Sequence, residues 1–137
     1  MTRISGNDIL AARTRHRDII VKTPLVPALA LRDVLPCSVH LKLENAQRTG
    51  SFKDRGALNR LLALTPAERT RGVVTASAGN HAQAVAYHGR RLGVAVDVVM
   101  PEHTPLTKIA NTQRFGATVR LTGATLSDAM TEALRLE

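Results

Sequence analysis

Aromatic side chains are nearly missing from this 137-residue chain: two Phe, one Tyr and no Trp, 2% of the residues. A binder of unpaired nucleic acid stacks bases on such rings, so the formal charge of +8 carries little weight for that function. The basic residues are also spread along the chain, with modest clusters at Arg13–Arg15–Arg17 and Arg69–Arg71, and the reading is no nucleic-acid partner. No apolar run approaches bilayer length, because Asp97 interrupts the longest candidate, so no membrane span is expected. One cysteine, Cys37, excludes an internal disulfide, and it reads as a buried or inert thiol. No Cys/His cluster has metal-ligand spacing, so no metal is expected. His81 and His88 lie seven apart on one helix, without the glutamate of a zinc-protease helix, and His88 reads as a partly buried surface histidine. The nine glycines include no adjacent pair and no Gly-x-Gly-x-x-Gly, which removes a dinucleotide fingerprint; a Walker lysine is missing too. Asp8 and Asp18 break the acid-poor pattern of a transit peptide, and no secretory apolar core precedes them, so the expected location is cytoplasmic.

What the chain does have is hydrophobic residues at 44%, enough for one globular core, and a regular alternation of segment types. A helix is expected over residues 7–20. Short β-branched runs at 39–43, 73–75, 94–100 and 118–121 read as strands, each followed by helical spacing at 51–64, 80–92, 104–115 and 125–136. Four strand-then-helix units predict an α/β fold with a mostly parallel sheet and flanking helices. Ser51 with Asp54, Thr65 with Glu68, and Thr125 with Asp128 have capping-box spacing, and Pro66 and Pro105 suit first-turn positions. The last helical pattern runs to Glu137 with no stop signal, so the chain reads as truncated or as an excerpt.

Two junctions carry candidate chemistry. In Gly50-Ser51-Phe52-Lys53-Asp54-Arg55-Gly56, Lys53 falls in the first turn of a helix, whose partial positive charge disfavours a second one and favours the neutral, nucleophilic amine. In Thr75-Ala76-Ser77-Ala78-Gly79-Asn80-His81-Ala82-Gln83, small residues lead into a helix N terminus that offers free N–H groups to an anion such as a carboxylate. Each junction taken alone also reads as ordinary structure: a solvated lysine, and a tight strand-to-helix turn.

Taken together, Ser51-Phe52-Lys53-Asp54-Arg55-Gly56-Ala57 and Ser77-Ala78-Gly79-Asn80-His81-Ala82-Gln83 closely resemble two motifs of the fold-type II serine/threonine dehydratase (threonine ammonia-lyase) family. Lesser matches at Thr23-Pro24-Leu25, Leu41-Lys42-Leu43-Glu44, Met100-Pro101, Gly116-Ala117 and Gly123 extend the resemblance over nearly the whole chain. The resemblance implies a tryptophan-synthase-β-like fold and pyridoxal 5'-phosphate as cofactor. It implies that Lys53 carries the cofactor covalently and afterwards acts as general base, that Phe52 packs beside the ring, and that Asn80 hydrogen-bonds the ring hydroxyl. Ser77, Gly79, Asn80 and His81 are then the grip on the substrate carboxylate. The implied reaction converts L-threonine or L-serine to a 2-oxo acid and ammonia, in a protein that is a homo-oligomer at full length. Ala78 stands where serine racemases of this fold place a second serine, which favours elimination. Asp54 replaces the aliphatic residue common in dehydratases and is similar to the Phe-Lys-Asp-Arg-Gly run of threonine synthases, which keeps a synthase or another lyase open. The resemblance also implies that residues 1–137 are the N-terminal portion of an incomplete domain whose C-terminal half, with the glycine-rich phosphate loop, is absent, so this portion alone is expected to be inactive, or to be a non-catalytic remnant acting as an interaction module.

Overall fold

The computed structural model describes residues 3–16 and 18–137. Helix α1 spans Gly6–His16 and starts at a reciprocal cap, Asp8 Oδ2 accepting from the Ser5 N–H and hydroxyl at 2.8 and 2.7 Å. It ends four residues before the expected limit of 20. The N–H groups of Ile19 and Ile20 both donate to the His16 carbonyl, turning the chain where the β-branched run Ile19-Ile20-Val21 begins to disfavour helix.

Strand β1 (Leu25–Pro27) pairs antiparallel with β2 (His40–Lys42), Val26 opposite Leu41. The strand expected at 39–43 therefore exists but lies in this small ladder, outside the parallel sheet. Its partner β1 is too short, and too closely bracketed by Pro24 and Pro27, to show a period in sequence. Cys37, on the connection between them, is exposed rather than buried.

After a 3₁₀ turn at Glu44–Ala46 come α2 (Lys53–Leu62) and α3 (Pro66–Arg71). The rest of the described chain alternates strictly: β3 (Val73–Ala76), α4 (Asn80–Leu92), β4 (Val96–Met100), α5 (Leu106–Gln113), β5 (Thr118–Leu121) and α6 (Leu126–Leu136). The three strands form a parallel sheet in the order β3-β4-β5, with Val73 opposite Val96 and Val98 opposite Val119. Parallel neighbours need a long crossover, which α4 and α5 supply.

The central strand shows why both faces must be covered. Val96, Val98 and Met100 point into a core shared with Ala57, Ala82, Val85 and Ala86 of α2 and α4, while Val99 points the other way, onto Ala129 and Ala133 of α6. Alanines and Gly89 on the inner side of α4 let that helix lie close to the sheet. Gly93, at φ 67°, closes it: Val94 N–H reaches back to the Gly89 carbonyl, which uses a left-handed residue at the helix end. Thr65–Glu68 and Thr125–Asp128 form the expected capping boxes. Pro105 serves as the N-cap of α5, one position earlier than expected. No helix among the described residues is long and apolar enough to cross a membrane.

Candidate active site

The carboxyl end of β3 runs into Ser77, Ala78 and Gly79 and then directly into α4, and α2 packs along α4. The Ser77–Gly79 junction therefore lies at the carboxyl end of one strand of the parallel sheet, the usual place for ligands in open α/β folds, and the helix begun by Lys53 packs beside the helix that follows it.

Lys53 is the first residue of α2. Its N–H donates to the Ser51 hydroxyl at 3.3 Å, its side chain is exposed, and its Nζ stands 5.0 Å from the centre of the Phe52 ring. Phe52 is itself 59% exposed, an unusual position for one of only two phenylalanines. Among the described residues, no side chain caps α4. Gly79 is its N-cap in extended conformation, and its N–H donates to the Ser77 hydroxyl at 3.3 Å. The first-turn N–H groups of Asn80 and His81 thus face outward from a 13-residue helix, with the partial positive charge that attracts anions. His81 is exposed, yet protein crowds its ring enough that partial desolvation, followed by the positive charge of Lys53, holds the imidazole below its usual value. Lys53 and His81 are therefore near enough to feel each other. Of the expected residues, Phe52 and Lys53 lie at the start of α2, and Ser77, Gly79, Asn80 and His81 lie at and just before the start of α4. Among the described residues, no group of three or more His, Cys, Asp or Glu is placed to hold a metal ion.

The loop leading to Lys53 is held by a polar network that the sequence did not assign. Arg55 donates twice to Glu44, Nε to Oε2 at 2.8 Å and Nη2 to Oε1 at 2.7 Å, and the Thr23 hydroxyl adds a third bond at 2.6 Å. The Arg55 hydrogen bonds, against a partial burial that opposes them and with help from Thr23 and Gln47, hold the Glu44 carboxyl at about 2. Gln47 bridges both backbone groups of Val21, and Lys42 Nζ donates to the Thr23 carbonyl at 2.6 Å.

Asp54 departs from its expected role. It does not cap back to Ser51; its carboxylate is fully buried, accepting from the Thr49 N–H at 3.0 Å, the Thr49 hydroxyl at 2.9 Å and His88 Nε2 at 3.1 Å. His88 is correspondingly a fully buried residue, not a surface one, and its Nδ1 meets no partner among the described residues. Since the facing carboxylate oxygen can only accept, Nε2 is the nitrogen that carries the proton. Burial pushes the Asp54 carboxyl up, and the bonds from His88 and Thr49 more than offset it, leaving it below its usual value. The only sequence signal for this pair was a polar residue on the inner side of each helix.

The family model described as "Pyridoxal-phosphate dependent enzyme" matches residues 16–137. The chain is 42% identical over 134 residues to an L-threonine ammonia-lyase of Thermotoga maritima, covering 98% of this chain and 33% of that protein. Among solved structures it is similar to a processed threonine deaminase of Solanum lycopersicum, at TM-score 0.85 and 38% identity over 98% of this chain and 39% of that one. A serine racemase of Dictyostelium discoideum gives TM-score 0.87 and 38% identity over 95% of this chain and 42% of that one. The chain spans about a third to two fifths of the length of these relatives. With a shared fold, a family match that takes in both junctions, and this identity over nearly every residue, the chain belongs to the pyridoxal-phosphate-dependent enzymes of fold type II.

Proposed function

We propose that the protein carrying this chain converts L-threonine or L-serine to a 2-oxo acid and ammonia, with Lys53 as the residue that holds pyridoxal 5'-phosphate. The observation that carries the reading is the convergence of an exposed lysine at one helix start with an uncapped helix start opposite, close enough that the Lys53 charge is felt at His81. The residues at this helix start suit an aldehyde-bearing aromatic ring: the amine is accessible, and the exposed Phe52 ring offers a flat apolar neighbour. When bound, the cofactor supplies an electron sink for the pair left on a substrate's α-carbon.

The chain's own residues do the rest. Ser77, Gly79, Asn80 and His81 receive the substrate carboxylate on side-chain and backbone donors, and Asn80 also serves the cofactor's ring hydroxyl. That would fix the α-hydrogen toward Lys53, whose Nζ, freed from the cofactor once the substrate's amine has replaced it, would take the proton as general base. The same Nζ then returns a proton to the departing β-hydroxyl. Overall, an α-hydrogen and a β-hydroxyl leave as water, and hydrolysis of the resulting enamine releases ammonia and the 2-oxo acid. Ala78 puts a methyl group where a second hydroxyl could reprotonate the α-carbon, which favours elimination over racemisation.

Of the four lysines, Lys22, Lys42, Lys53 and Lys108, only one is expected to react productively. Titration with pyridoxal phosphate followed by borohydride reduction and peptide mass mapping is expected to place the label on Lys53, and Lys53→Ala is expected to abolish it. Label spread evenly over the lysines, unchanged in the variant, overturns the assignment. In the full-length protein, release of a 2-oxo acid from threonine or serine distinguishes this reading from a β-replacing lyase.

A further inference from the structure

The Asp54–His88 pair is out of place as a stabilising device. Both side chains are essentially fully buried, and taking a carboxylate and an imidazole out of water costs about as much as their mutual attraction returns. Well-packed apolar residues of similar volume would hold α2 against α4 equally well. What an apolar pair cannot do is fix direction, because hydrophobic contact is non-directional whereas a hydrogen bond weakens steeply when bent. Asp54 is used for direction. One carboxylate joins three pieces of chain: Thr49 in the loop before the lysine, the first turn of α2, and His88 on α4, 34 residues away. Lys53 is the preceding residue of the same turn and points outward where Asp54 points inward. The helix that carries His88 is also the helix whose N terminus carries Asn80 and His81.

We propose that the buried Asp54–His88 pair is a positioning device for Lys53, locking the first turn of α2 to α4 so that the amine is held at a fixed distance and angle from the Ser77–His81 loop. Neither residue touches substrate or cofactor; both act through Lys53. The inference rests on the proposed role of Lys53. A displacement of about 1 Å at such a site is enough to cost up to a hundredfold in reactivity.

The test compares wild type with Asp54→Val/His88→Leu in the protein as it occurs, reading thermal unfolding alongside borohydride-trapped pyridoxyl label on Lys53. The double variant is expected to unfold within a few degrees of wild type but to label Lys53 about tenfold less at equal reagent, with a larger share going to the other lysines. Unchanged labelling of Lys53 in a folded double variant overturns the proposal while leaving the role of Lys53 intact. Wild type that fails to label at Lys53 removes the functional reading and this inference together. Should the double variant not fold, His88→Gln and His88→Asn decide. Gln places an amide N–H where Nε2 stands, whereas Asn is one methylene short. Labelling retained in Gln and lost in Asn supports positioning; equal labelling in the two overturns it.

Discussion

Gly89 marks the closest approach of α4 to the sheet. A Cβ built there would lie 2.3 Å from Val96 Cγ2, on a strand that cannot retreat without breaking its pairing, and 3.1 Å from the Val94 carbonyl in the turn before that strand. Gly89→Ala gains about 1 kcal/mol of helix propensity but forces overpacking of about 1–3 kcal/mol. A lower urea midpoint with an unchanged slope is the expected result; a stabilised variant would show that α4 can lift away. A second residue-scale expectation concerns charge. Because Lys53 is one of the two causes that lower His81, Lys53→Ala should raise the His81 pKa part of the way toward its usual value, the desolvation remaining. Histidine NMR titration reads this directly, with the buried His16 as internal control, and an unmoved His81 would mean that the two junctions do not face each other in solution.

At the scale of elements, the parts written in local chemistry were legible and the parts written in tertiary contact were not. Helix α4 was read with its observed limits because a small-residue junction precedes it and an amphipathic pattern runs to Gly93. The boxes at Thr65 and Thr125 were legible because a box is a contract between residues three apart. Ser51 and Asp54 have that spacing too, yet Asp54 finds better partners in Thr49 and His88, the second of them on another helix, where no local rule can see it. Strand β1 failed for a similar reason: three residues show no period, and only its pairing with β2 defines it. Lys53 and the Ser77–His81 segment stand out by motif resemblance, whereas the Glu44–Arg55 and Asp54–His88 links join residues 11 and 34 positions apart. The box on α6 is the simplest to test. Asp128 accepts from the Thr125 N–H at 2.9 Å and the Ala124 N–H at 3.0 Å, while the Thr125 hydroxyl accepts from the Asp128 N–H at 3.2 Å. Thr125→Ala is expected to cost about 1 kcal/mol, read as a shift in denaturant midpoint. No change would indicate that α6 is held by Ala129 and Ala133 alone.

At the scale of the whole molecule, the Glu44 network fastens the first strands to the sheet-bearing part. Its carboxylate collects Arg55 from α2, Thr23 from the segment before β1, and Gln47, which in turn clamps Val21. Since Glu44 is held at about 2 when folded against 4.5 ordinarily, its contribution is fully present above pH 4.5 and is lost as pH falls from there through about 2. Arg55 is partly in solvent, so the contribution is discounted for screening to about 1–2 kcal/mol. Glu44→Gln is therefore expected to lower stability by that amount at pH 7 and by progressively less toward pH 2, where wild type and variant converge. Hydrogen exchange should locate the loss. The amides of Val21 and Leu43, which bond to Gln47 and to the Pro24 carbonyl, are expected to lose protection, measured against the intrinsic exchange rate at each pH, in the variant at neutral pH and in wild type near pH 3, while those of β4 stay protected. A constant gap between the two proteins across this pH range would locate the effect of Glu44 in packing rather than charge, and uniform acceleration including β4 would mean that the two parts unfold as one.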